Sequence, residues 1–162
     1  MADPAVLDDA RAALKRAMQL HADGEILAAL DAGRRAVELA PDLAEAHAYL
    51  GNTLVTRRRR FADGLAALRL ASELAPDDAA ILYTTGWCHE YVADALAKPR
   101  ATHQPVAGDA PELYATARDY FFRALDAHPD DQLKGDIEDM LDVVSKATGE
   151  PWEDDDRAPR GR

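Results

Sequence analysis

Glu38-Leu39-Ala40-Pro41-Asp42 and Glu73-Leu74-Ala75-Pro76-Asp77 are the same five residues met twice, their prolines 76 − 41 = 35 positions apart. A third turn of the same kind, His128-Pro129-Asp130, follows after 129 − 76 = 53 positions. With a repeat of about 34 residues, that second interval is one repeat plus an insertion of about 19. Each proline marks the end of a helix. It lacks an N–H to continue the ladder and disfavours helical geometry in the residue before it.

Small residues keep the same phase. Counting back from each proline, a small residue stands twelve positions before it and an alanine five before it: Ala29 and Ala36, Gly64 and Ala71, Ala117 and Ala124. Residues seven apart share one helix face, and small ones there let a neighbouring helix approach closely. The partner helix upstream brings its own small residue: Ala17, Gly51 and Gly86. The separations are 29 − 17 = 12, 64 − 51 = 13 and 117 − 86 = 31. The extra residues therefore fall between the two helices of a pair, where added loop length costs little entropy.

Helix ends can be placed from these signals. Asp3 caps a first helix with Pro4 in its first turn, running to about His21. Its partner spans about 25–39. Asp42 and Glu45 have capping-box spacing for the third helix, which ends near Thr56, and the fourth covers about 61–74. A longer fifth helix runs from about 79 to 97. Asp109 and Glu112 form a second capping box for a sixth helix reaching Ala127. Leu133, Ile137, Met140, Leu141 and Val144 give one apolar stripe, which predicts a seventh helix over about 131–147.

Taken together, residues 10–130 resemble the tetratricopeptide repeat, with its W-x2-LG-x2-Y, A-x3-F and P signature. His47-x2-Leu50-Gly51-x2-Leu54 carries the Leu-Gly pair, Leu82-x2-Thr85-Gly86-x2-His89 keeps the glycine, and Ala117-x3-Phe121 with Pro129 matches the second half. The resemblance implies an all-α fold: a right-handed α-solenoid of three helix-turn-helix repeats plus a C-terminal capping helix. The domain would cover 1–148, with repeats at about 10–43, 44–78 and 79–130, a loop inserted near 98–110 and the cap at about 131–147. Residues 149–162 read as a disordered acidic tail.

In that family the first helices of successive repeats line a concave groove. The matching positions here include Leu14 and Met18, then Tyr49 and Asn52, then Tyr83, Trp87 and Tyr91. Tyr83, Trp87 and Tyr91 form an i, i+4, i+8 stripe, which is either core or a contact platform for peptide side chains. The Asn52 amide, donor and acceptor together, suits a peptide backbone or a local hydrogen bond. Some family members hold a C-terminal carboxylate with Lys and Asn. The matching positions here are Leu14, Met18, Tyr49, Ala80 and Thr84, none of them basic, so that activity is not expected. The groove suits an apolar segment or an amphipathic helix instead.

Arg57-Arg58-Arg59-Arg60 falls in the turn of the second pair. It is either a solvated turn or a patch for an acidic partner, including the run Glu153-Asp154-Asp155-Asp156 of this or another chain. The Pro-containing insertion leaves the end of the aromatic helix and is either a lid over the groove or a passive loop.

Composition narrows the rest. Net charge is −11, and it is uneven: residues 1–75 hold 10 Lys/Arg against 11 Asp/Glu, whereas residues 76–162 hold 9 against 19. An acidic second half repels phosphate backbones, so nucleic acid is not an expected partner. No stretch approaches the roughly 20 apolar residues of a membrane helix. One cysteine, Cys88, excludes a disulfide framework, and an acidic N-terminus lacks a signal-peptide pattern, so a cytoplasmic place is expected. No His-Glu-x-x-His, phosphate loop or Gly-x-Ser-x-Gly is present, and no cofactor, metal or catalytic activity is expected. The sequence thus points to an adaptor that binds a peptide or helix of a partner protein. A secretion-type chaperone for an apolar partner and a self-assembling, homo-oligomeric scaffold are the alternatives.

Overall fold

A computed structural model describes residues 3–153. Among the described residues the chain forms seven helices and no strand. They are α1 (Pro4–Ala22), α2 (Ile26–Leu39), α3 (Ala44–Arg58), α4 (Phe61–Leu74), α5 (Ala79–Ala97), α6 (Ala110–Asp126) and α7 (Asp131–Thr148). Two compact units arise, one of Met1–Pro76 with Ala101–Ala107, the other of Asp77–Arg100 with Gly108–Arg162.

In the first unit α1 pairs with α2 and α3 with α4, and α2 also packs on α3. The small residues named above make these crossings. Ala17 and Ala29 are fully buried. A Cβ on Gly51 would lie 2.7 Å from the Gly64 carbonyl oxygen, so the α3 and α4 backbones touch. Phe61, Leu68 and Leu30 fill the space around these crossings, each at 1% exposure or less. Burying a side chain of that size stabilises the fold by about 1.5–3 kcal/mol.

In the second unit α5 pairs with α6, and α7 covers α6 with a lesser contact to α5. Gly86 is the close point here. An added Cβ would meet the Phe121 ring at 2.9 Å and the Ala117 carbonyl oxygen at 3.2 Å. Ile137, Leu141 and Val144 supply the buried stripe of α7, as their spacing requires.

Two aspartates cap their helices as read from sequence, Asp3 for α1 and Asp109 in a reciprocal box with Glu112 for α6, and Asp130, read only as part of a turn, caps α7. Asp78 does the same for α5, accepting from the Ile81 N–H at 3.1 Å. The Asp42–Glu45 box does not form. Leu43 is the N-cap of α3 and no side chain caps it. Leu43 is 6% exposed in a cluster with Ala10, Leu14, Ala36, Ala40 and Ala46. Burying that leucine moves the helix start one residue past the aspartate. The turn is held instead by the Leu43 N–H on the Ala40 carbonyl at 3.0 Å and by the His47 Nε2–H on the Pro41 carbonyl at 2.7 Å.

Candidate functional site

α5 is the most apolar of the helices and buries eight residues, among them Leu82, Cys88, His89 and Val92. Its remaining face carries the aromatic stripe, and the three rings divide. Tyr83 tilts against Phe121 of α6, centroids 6.0 Å apart. Its hydroxyl is pushed up in pKa by burial, then by Asp136 and Asp139 of α7. Trp87 and Tyr91 instead stack on each other at 5.6 Å with planes 29° apart, and both are half-buried.

A carboxyl that the sequence places on the same groove face, Glu90, stands next to the pair. Glu90 is half-buried, and burial is the larger cause of its raised pKa, with Asp94 adding to it and Lys98 opposing. The Tyr114 hydroxyl is raised by burial and by the same two carboxyls, Asp94 and Glu90. Helical spacing groups Glu90, Asp94 and Lys98.

The positions expected of the first two repeats lie in the first unit. Leu14 is 7% exposed and belongs to the core cluster, so it presents no floor to a ligand. Met18 is 52% exposed, one turn further along α1. Tyr49 is half-buried, with its ring against Gly33 and edge-on to His21 at 5.9 Å. Its hydroxyl lies 3.3 Å from His21 Nδ1 and 3.4 Å from the Ala17 carbonyl, and burial raises its pKa. It ties α3 to α1 by packing. Asn52 is half-buried one turn on, and its backbone carbonyl accepts from the Thr56 hydroxyl at 2.8 Å.

The four arginines also divide. Arg57 and Arg58 are exposed on the last turn of α3. Arg59 is the C-cap in left-handed geometry, φ 51°, which costs a non-glycine residue about 1–2 kcal/mol. It is held there by the inserted loop. Its guanidinium donates to the Thr102 carbonyl at 3.1 Å and the Ala101 carbonyl at 3.4 Å, and its own carbonyl accepts from the Gln104 N–H at 3.0 Å. Gln104 Oε1 accepts from the Asp63 N–H at 3.0 Å, which caps α4 where no residue of that helix does so. His103 stacks on Phe61 at 4.7 Å. Residues 101–107 therefore clasp the arginine turn inside the first unit. Arg60 bonds the Asp63 carboxylate, holding it below the usual carboxylate range, with Gln104 as the second cause.

Beside this turn is a cavity of about 410 Å³ lined by Leu27, Leu30, Arg34, Leu54, Arg58, Arg60 and Asp63. Sequence reading missed Arg34, which α2 delivers from more than twenty residues upstream. In the second unit a cavity of about 530 Å³ opens among the ends of α5, α6 and α7, with Tyr114, Arg118, Val144 and Glu150 in its wall.

Of the segment read as an acidic tail, residues 149–153 are described and 154–162 lie outside the described residues. Gly149 ends α7 in left-handed geometry at φ 77°. Trp152 then donates its indole N–H to Asp142 at 2.7 Å and meets Phe122 edge-on at 6.2 Å.

Among the described residues no three His, Cys, Asp or Glu side chains gather as a metal site, and no helix is long and apolar enough to cross a membrane. Burial pushes the Cys88 thiol up to about 12, so it stays protonated and a poor nucleophile. No protein-family model matches the chain, and no curated protein is significantly similar to it in sequence.

Proposed function

We propose that this chain is a protein–protein interaction module of the tetratricopeptide kind, with no catalytic activity of its own. In this reading α1–α2, α3–α4 and α5–α6 are three repeats of an α-solenoid and α7 is the cap. The tight crossings at Gly51–Gly64 and at Gly86 support the repeat assignment. The observation that carries the binding role is the Trp87–Tyr91 stack: two large aromatic rings, half-buried, on the face of α5 opposite its core side chains.

A stacked pair is rigid before a partner arrives, so little side-chain entropy is lost on contact, and aromatic anchors of this type dominate interface energies. A partner helix or extended segment presenting an apolar side chain would dock there, with Glu90 at the edge selecting a hydrogen-bond donor. Affinity capture followed by mass spectrometry tests this, with Trp87→Ala as control and circular dichroism to verify that the variant folds. Partners that are lost with Trp87→Ala support the reading. An unchanged set and amount of captured partners, with the fold intact, ends it.

A further inference from the structure

The geometry points to a second binding site, in the first unit: the cationic cavity at Arg34, Arg58 and Arg60 receives the acidic run Glu153-Asp154-Asp155-Asp156 of a second copy of the chain. Three elements build the cavity. α2 supplies Arg34, the last turn of α3 supplies Arg58, and Arg60 stands at the N-cap of α4. Leu27, Leu30 and Leu54 form the apolar part of its wall, and Leu27 is 63% exposed. Within the lining, three guanidinium groups face a single carboxylate, Asp63, in a chain whose net charge is −11.

The arginines are poorly satisfied by their own neighbours. Arg34 reaches Asp31 at 3.4 Å, with the two side chains 54% and 79% exposed. Pairs so exposed are weakened by solvent and salt and give way to better-placed carboxylates. Arg58 has no ion pair among the described residues. Arg60 is engaged by Asp63, which leaves Arg34 and Arg58 as the two forks open to incoming carboxylates. The leucines beside them lower the local dielectric, so a pair formed there is stronger than one on an open helix.

Charge and chain path identify the occupant. The excess of acid lies in residues 76–162, and positions 153–156 are four acidic residues in a row. The run begins immediately after an anchor, because Trp152 is tied to Asp142 and Phe122. The four acids that directly follow that fixed point span about 14 Å when extended. Trp152 thus fixes the point from which the run starts, and the first unit of another copy offers the opposite charge. Repulsion between two acidic copies is screened beyond about 8 Å at physiological salt, so the close pairs decide the contact.

The test uses the full chain with Asp154, Asp155 and Asp156 changed to Asn, so that its own run does not compete. The probe is a fluorescein-labelled synthetic peptide, Glu-Pro-Trp-Glu-Asp-Asp-Asp-Arg-Ala, followed by anisotropy. Binding is expected to be saturable and to weaken at least about tenfold at high salt. It is expected to weaken at least about tenfold with Arg34→Gln and Arg58→Gln together, but less than about twofold with Arg57→Gln, which lies outside the cavity wall. A peptide with amides in place of its five acids does not bind, and Trp87→Ala binds the acidic peptide normally, which separates this site from the α5 face. Equal losses from Arg57→Gln would reduce the effect to general surface charge and overturn the cavity. Binding indifferent to Arg34 and Arg58, or absent, overturns it as well. Sedimentation velocity of the unaltered chain tests exchange between copies: association rises with concentration and disappears in the double arginine variant. A chain that stays monomeric while the peptide binds overturns the second copy as occupant.

Discussion

Gly51 and Gly64 lie backbone to backbone: a Cβ on Gly51 would come within 2.7 Å of the Gly64 carbonyl oxygen, and one on Gly64 within 2.8 Å of the Gly51 carbonyl oxygen. Backbone cannot rotate aside as a flexible side chain can, so α3 and α4 must separate to admit a methyl. Gly64→Ala is expected to destabilise the fold by at least about 2 kcal/mol, read by urea unfolding. Gly135 supplies the contrast. It sits inside α7 with nothing within 4 Å of an added Cβ. Gly135→Ala should stabilise by about 0.5–1 kcal/mol through helix propensity alone. Equal effects at the two glycines would mean that the crossing is looser than described.

The clasp of residues 101–107 on the arginine turn predicts a local effect. His103 stacks on Phe61, which is fully buried, and Gln104 caps α4 through the Asp63 N–H. Gln104→Ala leaves that N–H without its acceptor and should cost about 1 kcal/mol, the usual scale for a lost helix cap. The same variant should be cleaved faster by trypsin after Arg100, because the loop loses one of its ties. Unchanged proteolysis together with unchanged stability would show that Gln104 contributes nothing to the clasp.

How much of this was legible beforehand differs by residue. The helix ends and the small-residue crossings could be read because their causes are local: Pro41, Pro76 and Pro129 stop helices wherever they occur, and Gly or Ala is needed at a close crossing. The α3 start was misplaced because the burial of Leu43, a tertiary event, overrode the cap that Asp42 offered. The groove expectation for Leu14 failed for the same kind of reason. Its place on the helix was counted correctly, but the side chain is claimed by Ala36, Ala40 and Leu43, which no spacing within α1 reveals. The loop's destination could not be read at all, since the hydrogen bonds from Arg59 to residues 101 and 102 span more than forty positions.

The lone thiol offers a third measurement. Cys88 is fully buried and its pKa is pushed up to about 12 by that burial. A thiol reagent reacts with the thiolate, so labelling at neutral pH should follow opening of α5 rather than the chemistry of an exposed cysteine. The rate should rise in step with unfolding as urea is added. Fast labelling in the native protein would contradict the packing of α5 against α6.

Glu90 gives a pH dependence whose sign follows from its surroundings. Burial disfavours its charged form, Asp94 adds repulsion and Lys98 relieves part of it, so its pKa in the folded chain lies above the unfolded value of about 4.3. Between those two values the folded state keeps a proton that the unfolded chain has already released. Stability therefore falls as pH rises through this window, and the penalty is complete above the folded value. Glu90→Gln removes the charge while keeping the shape. The variant should be more stable than the parent at neutral pH, with the advantage shrinking as pH falls through that window and gone below about 4, where the parent carboxyl is protonated in both states. Urea unfolding of the two proteins at a series of pH values measures the difference. A difference that is the same at every pH would assign the effect of Glu90 to packing beside Trp87 and Tyr91, not to its charge.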